Sequence, residues 1–191
     1  MKDNDAVNVS QLNAAKVKYF SVNSTVTGNR DNTGATGVNA IAIGPAATAT
    51  KAQSIALGNS ATAGGTDSIA IGNGSVAADK VAPVAIGRGT QANGDFSVAL
   101  GGGNHQFVGA IANGVGTTAL GTYTKTTAGE NFQTAVGFGA NTTKSNATAI
   151  GYNSAVSTEG GVALGANSSS STGRIAVSYT HLRAHETRSN L

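Results

Sequence analysis

Apolar residues in this chain fall in one recurring tetrad, an aliphatic residue or Thr, then Ala, then an aliphatic residue, then Gly. It occurs nine times: Ile41-Ala42-Ile43-Gly44, Ile55-Ala56-Leu57-Gly58, Ile69-Ala70-Ile71-Gly72, Val84-Ala85-Ile86-Gly87, Val98-Ala99-Leu100-Gly101, Thr118-Ala119-Leu120-Gly121, Thr134-Ala135-Val136-Gly137, Thr148-Ala149-Ile150-Gly151 and Val162-Ala163-Leu164-Gly165. The glycines follow one another at spacings of 14, 14, 15, 14, 20, 16, 14 and 14 residues, a 14-residue period with local insertions. Three and five residues after the glycine stand small side chains, as in Ala47 and Ala49, Ala61 and Ala63, Ser75 and Ala77, Thr90 and Ala92, Ser154 and Val156. The residue between them varies freely. Alternation of period two predicts short strands, and the Asn, Gly, Ser and Asp residues between them predict turns. Each unit reads as strand, Gly turn, strand, turn.

A period of this kind is the mark of stacked coils, and nine rungs at about 4.8 Å make a rod of about 40 Å. Neighbouring residues of a strand face opposite ways, so Ala42 faces one side while Ile41 and Ile43 face the other. Two short strands enclose a narrow coil, which suits the Ala and Ser positions and would be overpacked by larger groups. The aliphatic pairs are therefore expected on the outside, as a continuous apolar stripe. Such a stripe marks an association surface, and closed cyclic symmetry is the usual way to cover one. The expected fold is an all-β parallel β-roll, a β-solenoid of 14-residue repeats, as an obligate oligomer built on these ladders. The alternative reading of the same alternation is a monomeric coil with aliphatics inside and Ala outside.

Composition agrees with the narrow coil. Ala, Gly, Thr, Asn and Ser supply 118 of the 191 residues, whereas Leu, Ile, Val and Phe supply 37, near the level at which a chain fails to build a core. The net charge of only +3 argues against disorder by that route. An ordinary globular enzyme, a coiled coil and a nucleic-acid binder are poor matches, since the 12 basic residues are scattered among 9 acidic ones. No apolar run reaches the length of a membrane-spanning helix, and no signal peptide is expected at Met1–Ala6. The chain has no Cys, hence no disulfide framework.

Candidate chemistry is sparse. Gly-x-Gly-x-x-Ala occurs at Gly72–Ala77, Gly87–Ala92 and Gly114–Ala119, but no helical pattern follows to hold a pyrophosphate. His181 and His185 stand four apart without a second pair of ligands, and His105 lies alone in a Gly-rich loop. No acidic pair recurs across rungs and no nucleophile, base and orienting acid assemble, so no enzyme activity, metal or cofactor is expected. A repeated Gly-Gly-x-Gly-x-Asp calcium pattern is missing too. Thr48 with Thr50, Thr124 with Thr126 and Thr142 with Thr143 raise a second class, flat-lattice contact such as ice binding. Between Gly101 and Gly121 the unit gains six residues, and Gly102–Gly114 is expected to leave the regular rung, with 104–113 as the insertion proper. Insertions in solenoids protrude and often recognise partners. Expected ligand contacts are Asn104, His105 and Gln106 in this loop, Tyr123 and Lys125 nearby, and Asn59, Asn73 and Arg88 just after turn glycines, with Asn153 and Asn167 in comparable places. Weak contacts repeated along a rod give avidity. A passive spacer or surface coat is the rival function.

The units Ser54-Ile55-Ala56-Leu57-Gly58-Asn59-Ser60-Ala61-Thr62-Ala63 and Ser68-Ile69-Ala70-Ile71-Gly72 resemble the head repeat of the YadA-like trimeric autotransporter adhesins. Asp5-Ala6-Val7-Asn8-Val9-Ser10-Gln11-Leu12 is similar to the neck motif of that family. The resemblance implies a left-handed β-roll and a homotrimer on a Gram-negative bacterial surface. It also implies outer-membrane anchoring of the full-length protein and virulence-related adhesion to extracellular-matrix proteins such as collagen, or to host cells. In that reading the tetrad aliphatics Ile41, Ile43, Ile55, Leu57, Ile69, Ile71, Val84, Ile86, Val98, Leu100, Leu120, Val136, Ile150, Val162 and Leu164 form the trimer core. The nine tetrad glycines make the coil turn, and the chain itself touches neither nucleic acid nor membrane. Residues 1–18 read as a neck-like connector, 19–38 as a lead-in segment, 39–177 as the head and 178–191 as a tail outside the repeat, disordered or non-native. A neck at the amino end, with too few heptads after it for a stalk, suggests an internal piece of a longer adhesin.

Overall fold

The computed structural model describes residues 9–10, 22–104, 106 and 108–171. Most of the neck-like stretch, His105, the end of the head at 172–177 and the tail with His181 and His185 lie outside the described residues.

Each tetrad forms a three-residue strand that ends just before its glycine, from Ile41–Ile43 to Val162–Leu164. Each small-x-small run forms a two-residue strand, from Thr48–Ala49 to Ser169–Ser170. The long strands pair in chain order as one nine-stranded parallel sheet, and the short strands form a second. Equivalent residues stack on one another: Ile41 on Ile55, Ala42 on Ala56 and Ile43 on Leu57, and so on to Ile150 on Leu164. The molecule is thus an all-β parallel solenoid of nine coils, numbered here one to nine by their tetrads.

The coil interior is a set of columns of small residues. Ala56, Ala70, Ala85, Ala99, Ala119, Ala135 and Ala149 are wholly buried, as are Ala47 with Ala49, Ala61 with Ala63, and Ala110 with Ala112. The aliphatics flanking each central Ala lie outside, half-buried or exposed. The monomeric arrangement with aliphatics inside is therefore not the one adopted. A further interior position stands four residues before each glycine, where Ser54, Ser68, Pro83, Ser97, Thr117 and Gln133 are buried. Most hydroxyls among the inner residues are satisfied locally, donating to the carbonyl three residues back. Ser68 Oγ reaches Gly65 O at 2.6 Å, Ser97 Oγ reaches Gly94 O at 2.7 Å and Thr90 Oγ1 reaches Gly87 O at 2.9 Å. These bonds close the turns, so at such positions Ser and Thr replace Ala inside with their hydroxyls satisfied; Thr142 Oγ1 is the exception, buried without a partner.

Two corners join the sheets. At the first corner Gly58 has φ +132°, and a Cβ on it would stand 2.8 Å from the carbonyl oxygen of Gly72 in the next coil. The turn therefore demands glycine both for its dihedral and for its stacking distance.

The insertions fall at different corners. The six extra residues after Gly101 fall at the first corner, and the chain is back on the rung by Ala110. Ala110 and Ala112 are buried, and Ile111–Ala112 pairs with Gln91–Ala92. The expectation that Gly102–Gly114 leaves the rung is corrected accordingly: Ala110-Ile111-Ala112 repeats the small-x-small pattern of the short strand, merely displaced from its glycine. Coil seven instead gains two residues at the second corner, across Thr127–Gln133. There Gln133, the largest fully buried side chain, accepts from Thr127 N at 2.8 Å and donates to Lys144 O at 2.9 Å.

Candidate binding surfaces

Two surfaces stand out, the aliphatic face of the first sheet and a pair of hollows around the loop of residues 102–109. On the aliphatic face Ile41, Leu57, Val98, Leu100, Leu120, Ile150, Val162 and Leu164 are exposed, and Ile43, Ile55, Ile69, Ile71, Val84, Ile86 and Val136 are half-buried. They form two parallel ladders on one side of the rod, because strict register stacks equivalent residues; the ladder next to the glycines is aliphatic in all nine coils, and the other is interrupted by Thr118, Thr134 and Thr148. Leu164 in the last strand is 73% exposed against 41% for Leu57, since no described coil stacks beyond it.

The loop is tied down at both ends. Gly103 N donates to Arg88 O at 2.8 Å, Thr122 Oγ1 donates to Gly102 O at 2.6 Å and Ala110 N donates to Gly101 O at 2.9 Å. On one side of it a hollow of about 290 Å³ brings together Asn73, Arg88, Gln91 and Asn104 over Gly74, Gly89, Gly103 and Gly109. On the other side a hollow of about 280 Å³ brings together Ile111, Tyr123, Lys125 and Asn141. Val108 lines both. Asn59 is half-buried one coil further and accepts from Asn73 Nδ2 at 3.3 Å. Gln106 is exposed at the loop tip, where its backbone N donates to Asn104 Oδ1 at 2.8 Å, and His105 lies outside the described residues. Asn153 and Asn167 are exposed in later coils at φ 51° and 56°, and line neither hollow.

Beyond Tyr123 the first corner carries a short aromatic ladder. Ring centroids of Tyr123 and Phe138 are 6.3 Å apart, and those of Phe138 and Tyr152 are 5.8 Å apart in a near-parallel stack. A third hollow of about 370 Å³ opens before coil one between Val22, Val26, Arg30 and Ile43. It is floored by Asn29, whose amide donates to the carbonyls of Ala42 and Gly44 and so caps the first coil.

Charge is segregated between the corners. Asp67, Asp79, Asp95, Glu130 and Glu159 all lie in second-corner turns, and Asp31 precedes the first coil. Lys51 pairs with Asp79 at 3.6 Å and Lys144 with Glu130 at 3.2 Å. Hydrogen bonds from Ser145 and Lys144 hold the Glu130 carboxyl below its ordinary range. Arg88 and Lys125, on the first-corner side, make no ion pair among the described residues and are exposed.

The remaining motifs lose their chemistry in three dimensions. Gly72–Ala77 and Gly87–Ala92 run from a turn into a short strand, Gly114–Ala119 runs into a long one, and no helix follows any of them. Of the threonine pairs, Thr124, Thr126 and Thr142 are buried in the coil, whereas Thr48 and Thr143 are half-buried and Thr50 is exposed, so the pairs do not share one exterior face. No cluster of three or more metal-ligating side chains occurs among the described residues, nor does a helix long and apolar enough to cross a membrane.

Sequence reasoning missed Gln91, Asn141, Phe138 and Tyr152. Gln91, Ile111, Lys125 and Asn141 are successive outward residues of the short-strand sheet, visible only once the displaced strand at Ile111 is placed. The model of the YadA head domain repeat matches this chain over residues 35–61, 49–75, 63–80, 84–104, 134–154 and 143–168, together more than half of it. A search of curated proteins found no match.

Proposed function

The chain belongs to the family of YadA head domain repeats, and from that membership we propose that it forms the head of a homotrimeric adhesin displayed on a bacterial surface. The observation that carries this reading is the double aliphatic ladder outside the coil. A monomeric rod with that face in water would expose a contiguous apolar stripe, which soluble monomers avoid. Three copies meeting around one axis would bury the paired ladders of all three chains in a shared core, with the short-strand sheet and the two hollows facing outward. We further propose the left-handed coil sense of the family, and adhesion to an extracellular-matrix protein such as collagen or to a host cell surface as the task of that outer face. Repetition along the rod and across three chains supplies avidity without a deep pocket or catalysis.

Sedimentation equilibrium tests the assembly: a trimer at micromolar concentration is expected, and a folded monomer would refute it. Solid-phase binding of the purified head to collagen, fibronectin and laminin tests the task. Retention on at least one is expected, abolished when outward residues of the short-strand sheet are scrambled. A trimer that binds none would instead be a spacer.

A further inference from the structure

We propose that the two hollows beside the 102–109 loop form one groove for a linear acidic polysaccharide carrying one anionic group per disaccharide, lying along the rod. The proposal rests on the adhesin reading and names the ligand class of its outer face.

Charge comes first. Every described acidic residue of the coils lies at the second corner, so the groove holds two cations and no acid. Arg88 and Lys125 are exposed and without an ion pair among the described residues; of the second-corner lysines Lys51 and Lys144 are matched by Asp79 and Glu130, and Lys80, exposed and likewise unpaired, follows directly on Asp79 at the acidic corner. Exposed cations gain modestly from one anion, but two at a matched spacing select a ligand whose charges repeat at that spacing.

Spacing follows from the fold. Arg88 belongs to coil four and Lys125 to coil six, two rungs apart. Two rungs of about 4.8 Å place them about 10 Å apart along the axis, close to the length of one disaccharide, with Arg88 at the corner and Lys125 three residues further along its coil, so that the groove runs obliquely up the rod. The displaced strand of coil five, with Ile111 outward, lies between them.

The lining matches a sugar chain better than a protein surface. Asn73, Gln91, Asn104 and Asn141 present amides, which donate to and accept from hydroxyls. Val108 is the one aliphatic side chain lining the first hollow, and its floor is glycine, where a chain can approach the backbone closely. Protein hot spots require the opposite, a well-packed pocket for an aromatic or apolar anchor. In the second hollow the Tyr123 ring supplies a face for a sugar ring.

The test is isothermal titration of the full chain with a hyaluronan octasaccharide, one carboxylate per disaccharide, against a neutral chitin octasaccharide. The native protein is expected to bind the first and not the second. The double variant R88Q/K125Q is expected to weaken binding by about tenfold or more. A charge-matched variant at the second corner, K51Q/K80Q, is expected to change it by less than about twofold. Circular dichroism of each variant, unchanged from native, separates lost contacts from lost fold. Failure of the native chain to bind overturns the proposal, as does equal binding of the neutral sugar, an unaffected R88Q/K125Q, or an equal loss in K51Q/K80Q. A head that adheres to matrix proteins but ignores the octasaccharide overturns the groove alone. One that binds the octasaccharide and adheres to nothing keeps the groove and removes the adhesin reading.

Discussion

Coils two and three differ instructively from coils six and seven. The first pair keeps the 14-residue period and fills its interior with Ser54, Ala56, Ala61 and Ala63, then Ser68, Ala70, Ser75 and Ala77. The second pair puts Thr117, Thr124 and Thr126, then Gln133 and Thr142, into the equivalent places. Both pairs continue the same sheets in the same register. The interior therefore takes larger polar groups without any change in the strands, and the largest of them, Gln133, stands at a corner that has gained two residues. Such a group is satisfied where neighbouring backbone supplies its hydrogen bonds. Thr126 meets that condition, since its hydroxyl accepts from Asn113 N at 2.8 Å, and Gln133 meets it twice. Thr142 Oγ1 does not, being buried without a partner.

The sharpest way to break the regular coils is at their first corner. Gly58→Ala sets a Cβ against the Gly72 carbonyl in a dihedral that L residues avoid. It should cost at least about 2 kcal/mol, read as a large fall in thermal midpoint. Phe132→Gly at the second corner, which relieves a left-handed backbone at φ 55° beside solvent, should not. In the widened coils Gln133→Ala leaves Thr127 N and Lys144 O without their partner and opens a void, for a loss of about 2–3 kcal/mol in denaturant unfolding. The same substitution at the shorter corner of coil two, Ser54→Ala, should cost about 1 kcal/mol or less.

Glu130 gives a pH-dependent version of the comparison. Its carboxylate accepts from Ser145 N at 2.9 Å, Ser145 Oγ at 2.6 Å and Lys144 Nζ at 3.2 Å, and its pKa is lowered, by Ser145 first and then Lys144. A carboxyl depressed in the folded state stabilises above its unfolded pKa, and that contribution fades as pH falls through the folded value. Native protein should therefore lose stability on acidification below the ordinary glutamate range more steeply than Glu130→Gln, and the two curves should converge in acid. The smallest effect is expected at Thr142→Val, where removal of an unpartnered hydroxyl should leave stability unchanged or raise it by up to about 1 kcal/mol.

Much of the fold was legible because tetrad and small-x-small run are local patterns of period two. That alternation sets Ala on one side and Ile, Val and Leu on the other, and burial in the structure shows the Ala column to be the inner one. The interior position held by Ser54, Pro83 and Gln133 was not legible. It accepts residues of such different size that no pattern marks it, and only stacking turns it inward. The return of Ala110-Ile111-Ala112 to the rung escaped notice for a related reason. Its motif was counted from the preceding glycine, whereas the chain rejoins wherever the motif can pair.

Among expected contact residues, Asn73, Arg88 and Asn104 meet in one hollow and Tyr123 and Lys125 in the next, while Asn153 and Asn167 stand apart. Sequence alone determined the period and the opposition of Ala to the aliphatics, since these depend on which way neighbouring side chains face, while the stacked coils decided that Ala is the inner side. Tertiary structure decided which distant residues share a surface and that acids gather at one corner while two cations flank the loop at the other. Those relations come from register between coils, which is made by hydrogen bonds across the stack rather than along the chain.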